Sequence, residues 1–60
     1  MTTEPLLGRR VLLVEDEALV AMLIGDALSD AGAVVIGPFA AVAPALAAIA
    51  DMPPELAILD

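Results

Sequence analysis

The chain has no cysteine, histidine, lysine, tryptophan or tyrosine, and its single aromatic residue is Phe39. Without cysteine or histidine it can form no disulfide staple and no thiolate or imidazole metal site, so any bound metal must sit on oxygen ligands. Positive charge is scarce as well: Arg9 and Arg10 face nine acids, for a net charge of −7. That balance repels a phosphate backbone or an anionic membrane surface and excludes nucleic-acid binding by this segment. The lack of cysteine agrees with a reducing compartment, and a cytoplasmic location is expected.

What the chain does have is apolar residues, 62% of 60, with 13 alanines among them. A soluble domain is roughly 45 to 50% apolar, and one of this length hides only about 60% of its unfolded surface. The chain therefore carries more core-forming residues than it can cover, which suggests part of a larger fold. Residues 31–50 form an uncharged run long enough to span a bilayer. Gly32, Gly37, Pro38 and Pro44 interrupt it, however, and no basic cluster or aromatic belt flanks it, so a membrane span is not expected. The apolar run at 11–14 ends at Glu15, Asp16 and Glu17, far too soon for a signal-peptide core.

Residues 1–8 read as a short tail, with Pro5 and Gly8 discouraging regular structure. The continuous run Val11, Leu12, Leu13, Val14 predicts a strand covered on both faces, as in a parallel sheet. Over residues 17–31, Val20, Leu23, Ile24, Ala27, Leu28 and Ala31 recur with helical period, and Gly32 stands where a left-handed cap is wanted. A second strand is expected at 33–36, stopped by Gly37 and Pro38. A second helix is expected within 39–51 on the face of Val42, Ala45, Leu46 and Ile49, with Pro44 tolerable in its first turn. After the break at 52–55 a third strand, Leu56 to Leu59, runs into Asp60. The pattern is βαβαβ, an α/β fold with a parallel sheet and helices on its faces.

Ligands of open parallel sheets bind beyond the carboxyl ends of the strands. The first strand ends at Glu15 and Asp16 and the third at Asp60; if the first strand lies between the other two, these three carboxylates converge. Residues 14–19 contain no glycine, which excludes a phosphate cradle of the P-loop or Rossmann kind. Three close carboxylates repel one another unless a divalent ion neutralises them, and an all-oxygen set with room for water and phosphate suits Mg²⁺. A carboxylate beside such an ion can act as a nucleophile toward phosphorus, and Asp60, alone at its strand end, is the candidate. A plainer role competes: Asp16 and Glu17 as the N-cap and first-turn acid of the helix. Glu4, Asp26, Asp30, Asp51 and Glu55 read as solubilising surface, and Met22 as packing filler.

The segments Val11 Leu12 Leu13 Val14 Glu15 Asp16 Glu17 and Leu56 Ala57 Ile58 Leu59 Asp60, with the Gly37 Pro38 turn, resemble the receiver domain of two-component response regulators. The resemblance covers residues 9–60 and implies a flavodoxin-like doubly wound sheet of order 2-1-3-4-5. It makes Glu15 and Asp16 the acidic metal-binding pair and Asp60 the aspartate phosphorylated from a sensor histidine kinase or phosphotransfer protein. Mg²⁺ is then held by Glu15, Asp16 and Asp60. Catalysis beyond self-phosphotransfer and autodephosphorylation is not expected. Receivers continue with two more strands and three more helices, which bring a hydroxyl residue, a lysine and a carbonyl metal ligand. This chain has no lysine, and its only threonines are Thr2 and Thr3. The expectation is thus the N-terminal half of a receiver, truncated after the third strand, with slow phosphotransfer. The alternative is a receiver-like fragment that cannot be phosphorylated and acts, if at all, by pairing with other proteins. In either case the bare edge of the third strand is a predicted site of self-association.

Overall fold

Four consecutive apolar side chains between arginines and acids form the centre of the molecule. The structure, a computed structural model, describes residues 4–59. In chain order its elements are β1 (Arg10–Val14), α1 (Ala18–Asp30), β2 (Val34–Phe39), α2 (Val42–Asp51) and β3 (Leu56–Leu59). The strands form one parallel sheet of order β2-β1-β3. The expected βαβαβ unit with β1 in the middle is therefore present.

Because successive strand residues point to opposite faces, β1 supplies two cores. On one face Leu12 and Val14 join Ile36 of β2 and Ala45 of α2, with Phe39, Ala48 and Ile49 packed alongside. On the other, Val11 and Leu13 join Leu28 of α1, with Leu6, Ile24, Ala33, Val35 and Ile58 around them. One helix thus covers each face, which is why β1 reads as a continuous apolar run rather than an alternating one.

Each helix meets the sheet on part of the face expected of it: Ile24 and Leu28 of α1 and Ala45 and Ile49 of α2 pack inward as expected, and the rest of each stripe is rotated outward. The inward stripe of α1 is Ala21, Ile24, Gly25 and Leu28, while Val20 and Leu23 are 37% and 59% exposed. Gly25 faces the sheet, where a Cβ would make an ordinary contact with Leu13 Cδ2 at 3.9 Å. In α2 the buried residue is Ala45, whereas Val42 and Leu46 are exposed. Pro44 falls in the first turn of α2, as expected. Past the end of α1, the Gly32 N–H donates to Ser29 O and the Ala33 N–H to Leu28 O, each at 3.0 Å, with Gly32 at φ +91°. This pair of bonds is a Schellman closure, which satisfies the last helical carbonyls.

Gly37 and Pro38 do not stop β2, contrary to expectation; the strand runs through them to Phe39. Leu12 pairs with Ile36 and Val14 with Phe39, so two steps along β1 match three along β2, a bulge. Pro38 is tolerated because β2 is an edge strand, where a missing N–H need break no ladder bond. The described part of the tail is also docked: residues 5–8 form turns, with Leu6 N–H donating to Ala31 O and Gly8 N–H to Gly32 O, each at 3.0 Å. At the opposite edge β3 is bare. No Cα of either helix lies within 8 Å of a β3 Cα, and Leu56 and Leu59 are 49% and 66% exposed. No helix among the described residues is long and apolar enough to cross a membrane.

Two alanine substitutions should move stability in opposite directions. Gly37 has φ +116°, and a Cβ there would meet Leu13 O at 2.7 Å; Gly37→Ala is expected to cost about 1–3 kcal/mol. Gly25 is helical with ordinary room for a methyl group, so Gly25→Ala should gain up to about 1 kcal/mol. Urea midpoints of the two variants measure both, and equal shifts of the same sign would contradict the bulge geometry.

Candidate functional site at the carboxyl end of the sheet

Glu15 is the first residue beyond β1, and its side chain is buried, with the residue only 5% exposed. Two bonds fix it: its N–H donates to Phe39 O at 2.9 Å, and its Oε1 accepts the Glu17 N–H at 3.0 Å. A carboxylate this deep persists only when hydrogen-bonded, paired or coordinated. Asp16 follows and is exposed. Glu17 is the N-cap of α1 with extended backbone, yet no side chain caps the helix, and its first turn holds no acid. The plainer role for Asp16 and Glu17 is therefore not taken up. Instead, Glu15 reaches forward to the N–H just ahead of the helix.

The parallel register pairs Val14 of β1 with Leu59 of β3. Glu15 and Asp16 follow the first of these residues, and Asp60 follows the second in sequence. Asp60 lies outside the described residues. Among the described residues no group of three His, Cys, Asp or Glu side chains is gathered as a metal site; Glu15 and Asp16 are the two of the expected three ligands that are described. Their donors are carboxylate oxygens, one buried and held, one exposed, a set suited to a hard cation such as Mg²⁺ and not to the softer transition metals.

The opposite end of the sheet carries a cluster that the sequence reading missed. Glu55, exposed as expected, pairs with both arginines: Oε2 lies 2.7 Å from Arg9 Nη1 and Oε1 lies 3.7 Å from Arg10 Nη1. Oε1 also accepts the Arg10 N–H at 3.3 Å, Arg10 Nε donates to Pro53 O at 2.9 Å, and the Glu55 N–H donates to Arg10 O at 2.8 Å. The signal was present in the topology. Arg9 and Arg10 lead into β1 as Glu55 leads into β3, and adjacent parallel strands bring such leading residues together. As a result both arginines are committed to the amino end, and the acids of the carboxyl end have no arginine near them.

No family model, no curated protein and no solved structure matches the chain.

The Arg9 hydrogen bond, reinforced by the Arg10 N–H and both guanidinium charges, holds the Glu55 carboxyl below its ordinary value of 4.5. A group whose folded pKa is depressed contributes stability above its unfolded pKa and loses it as pH falls through the folded one. Glu55→Gln should thus lower the urea midpoint at neutral pH, and the gap from the unsubstituted chain should close as pH drops below 4.5. Added salt should narrow the gap at neutral pH, because the pairs are partly exposed. A gap that stays constant with pH would show that the ion pairs are not its source.

Proposed function

We propose that residues 9–60 are the N-terminal half of a response-regulator receiver domain. In this reading Asp60 takes a phosphoryl group from a histidine kinase or phosphotransfer protein in the cytoplasm, with Mg²⁺ held by Glu15, Asp16 and Asp60. The observation that carries the reading is the in-register pairing of β1 with β3, Val14 beside Leu59. The acidic pair and the chain's exit toward Asp60 thereby leave adjacent strands at the same end. The order β2-β1-β3 also agrees with the first three strands of a flavodoxin-like 2-1-3-4-5 sheet. The bare outer edge of β3, with its exposed Leu56 and Leu59, is then what further strands and helices of a receiver cover.

The residues divide the work. Glu15, buried and held by the Glu17 N–H, supplies a fixed carboxylate that loses little freedom on binding a cation. Asp16, exposed beside it, supplies a second that can turn toward a ligand. An oxygen of Asp60 forms the O–P bond while the P–N bond to the donor's imidazole breaks and its electron pair returns to the ring nitrogen. When bound, Mg²⁺ offsets the negative charge on the transferring phosphoryl oxygens. Without a divalent cation the acidic end of the sheet repels a phosphoryl donor, so transfer should depend on one.

Incubated with labelled acetyl phosphate and Mg²⁺, the protein should take up phosphate that is stable in acid and labile in base. Asp60→Asn should reduce the uptake by at least about 100-fold, and chelation of the metal should abolish it. Labelling unaffected by Asp60→Asn would sink the assignment.

A further inference from the structure

Between α1 and β2, reaching from Ser29 to Ala18 at the start of α1 and to Gly37 and Pro38 near the carboxyl end of β2, lies an open groove of about 330 Å³. Ala21, Gly25 and Val35 line its middle together with Met22 and Asp26. Ala21 is buried and Gly25 and Val35 are half-buried, whereas Met22 and Asp26 are exposed. The space is of a size for one or two large aliphatic side chains.

The charges beside it are placed against local physics. Asp26 and Asp30 are four residues apart in the C-terminal half of α1, and no basic residue stands in the last turn. The helix dipole disfavours anions at that end, and like charges at this spacing repel. The Glu4 side chain adds a third acid, lying against Gly32 just past the helix. Neither arginine relieves them, since Glu55 holds both. A stretch of chain left in such conflict is stabilised by a ligand that supplies the missing cations.

We propose that this groove docks a cationic amphipathic segment of a partner protein, a large apolar side chain entering between α1 and β2 and lysine or arginine beside it pairing with Asp26 and Asp30. The charge complementarity selects this occupant. A second copy of the chain brings a net charge of −7 against the same surface, and nucleic acid is repelled likewise. The inference stands apart from the phosphotransfer reading, since it uses none of Glu15, Asp16 or Asp60.

The test titrates the isotopically labelled full chain with a synthetic amphipathic leucine–lysine peptide, with leucine–glutamate and serine–lysine peptides of equal length as controls. The leucine–lysine peptide should shift the amide signals of Gly25, Asp26, Ser29 and Val35, and its binding should weaken with salt. The double variant Asp26→Lys, Asp30→Lys should bind it at least about tenfold more weakly while melting at a higher temperature than the unsubstituted chain. Met22→Ser should weaken binding with the fold intact. Unchanged affinity in the double variant, equal binding of either control peptide, or shifts confined to Glu15 and Asp16 would each overturn the proposal. Concentration-dependent shifts of Gly25 and Ser29 without peptide would overturn it in favour of a second copy.

Discussion

The burial of β1 is the constraint on which the rest depends. Val11, Leu12, Leu13 and Val14 are all buried, each worth about 1.5–3 kcal/mol relative to exposure. Such a strand is stable only if both of its edges are paired and both of its faces covered. The chain meets this with β2 and β3 at the edges and α1 and α2 on the faces. The remaining structure follows from that single requirement. β2 must bulge at Gly37 to stay against β1, α1 must turn Gly25 and Leu28 toward Leu13, and β3 is held along one edge alone.

The same arrangement sorts the charge. Parallel strands start at one end and finish at the other, so residues that lead into β1 and β3 meet at the amino end and residues that follow them meet at the carboxyl end. Arg9, Arg10 and Glu55 neutralise one another in part at the first. Glu15 and Asp16 stand at the second with no arginine near them. A buried carboxylate next to an exposed one, at the end of a central strand, is the kind of place where a hard cation gains most from binding.

How far the sequence shows this differs from element to element. β1 was legible because a charge-bounded apolar run has few other uses, and the Gly32 closure because a left-handed residue after a helix favours glycine. The inward faces of the helices were legible in part, with Ile24, Leu28, Ala45 and Ile49 inside as expected but Val20, Leu23, Val42 and Leu46 exposed. Periodicity ranks Val20 and Leu23 above Ala21 and Gly25 by hydrophobicity, yet Ala21 is buried and Gly25 faces the sheet. Gly37 and Pro38 signal a stop when read locally, and only the pairing partner shows that they bend the strand instead. Glu55 is exposed, as read, but its pairing with Arg9 and Arg10 was not legible because those partners lie 46 and 45 residues away. Of the candidate site, the pair Glu15 and Asp16 was legible as acids at a strand end. The burial of Glu15 was not, since the strand that holds its backbone, through the bond from its N–H to Phe39 O, lies more than twenty residues on.

A cation site at the carboxyl end of the sheet, organised by β1, is the proposal on which the functional reading rests. Its most direct test is a Mg²⁺ titration of the isotopically labelled chain followed residue by residue. The account predicts saturable shifts of the Glu15, Asp16 and Glu17 amides, with Arg10, Val34 and Glu55 at the other end unmoved. Shifts spread evenly over Asp26, Asp30 and Asp51, or none at Glu15 and Asp16, would contradict it.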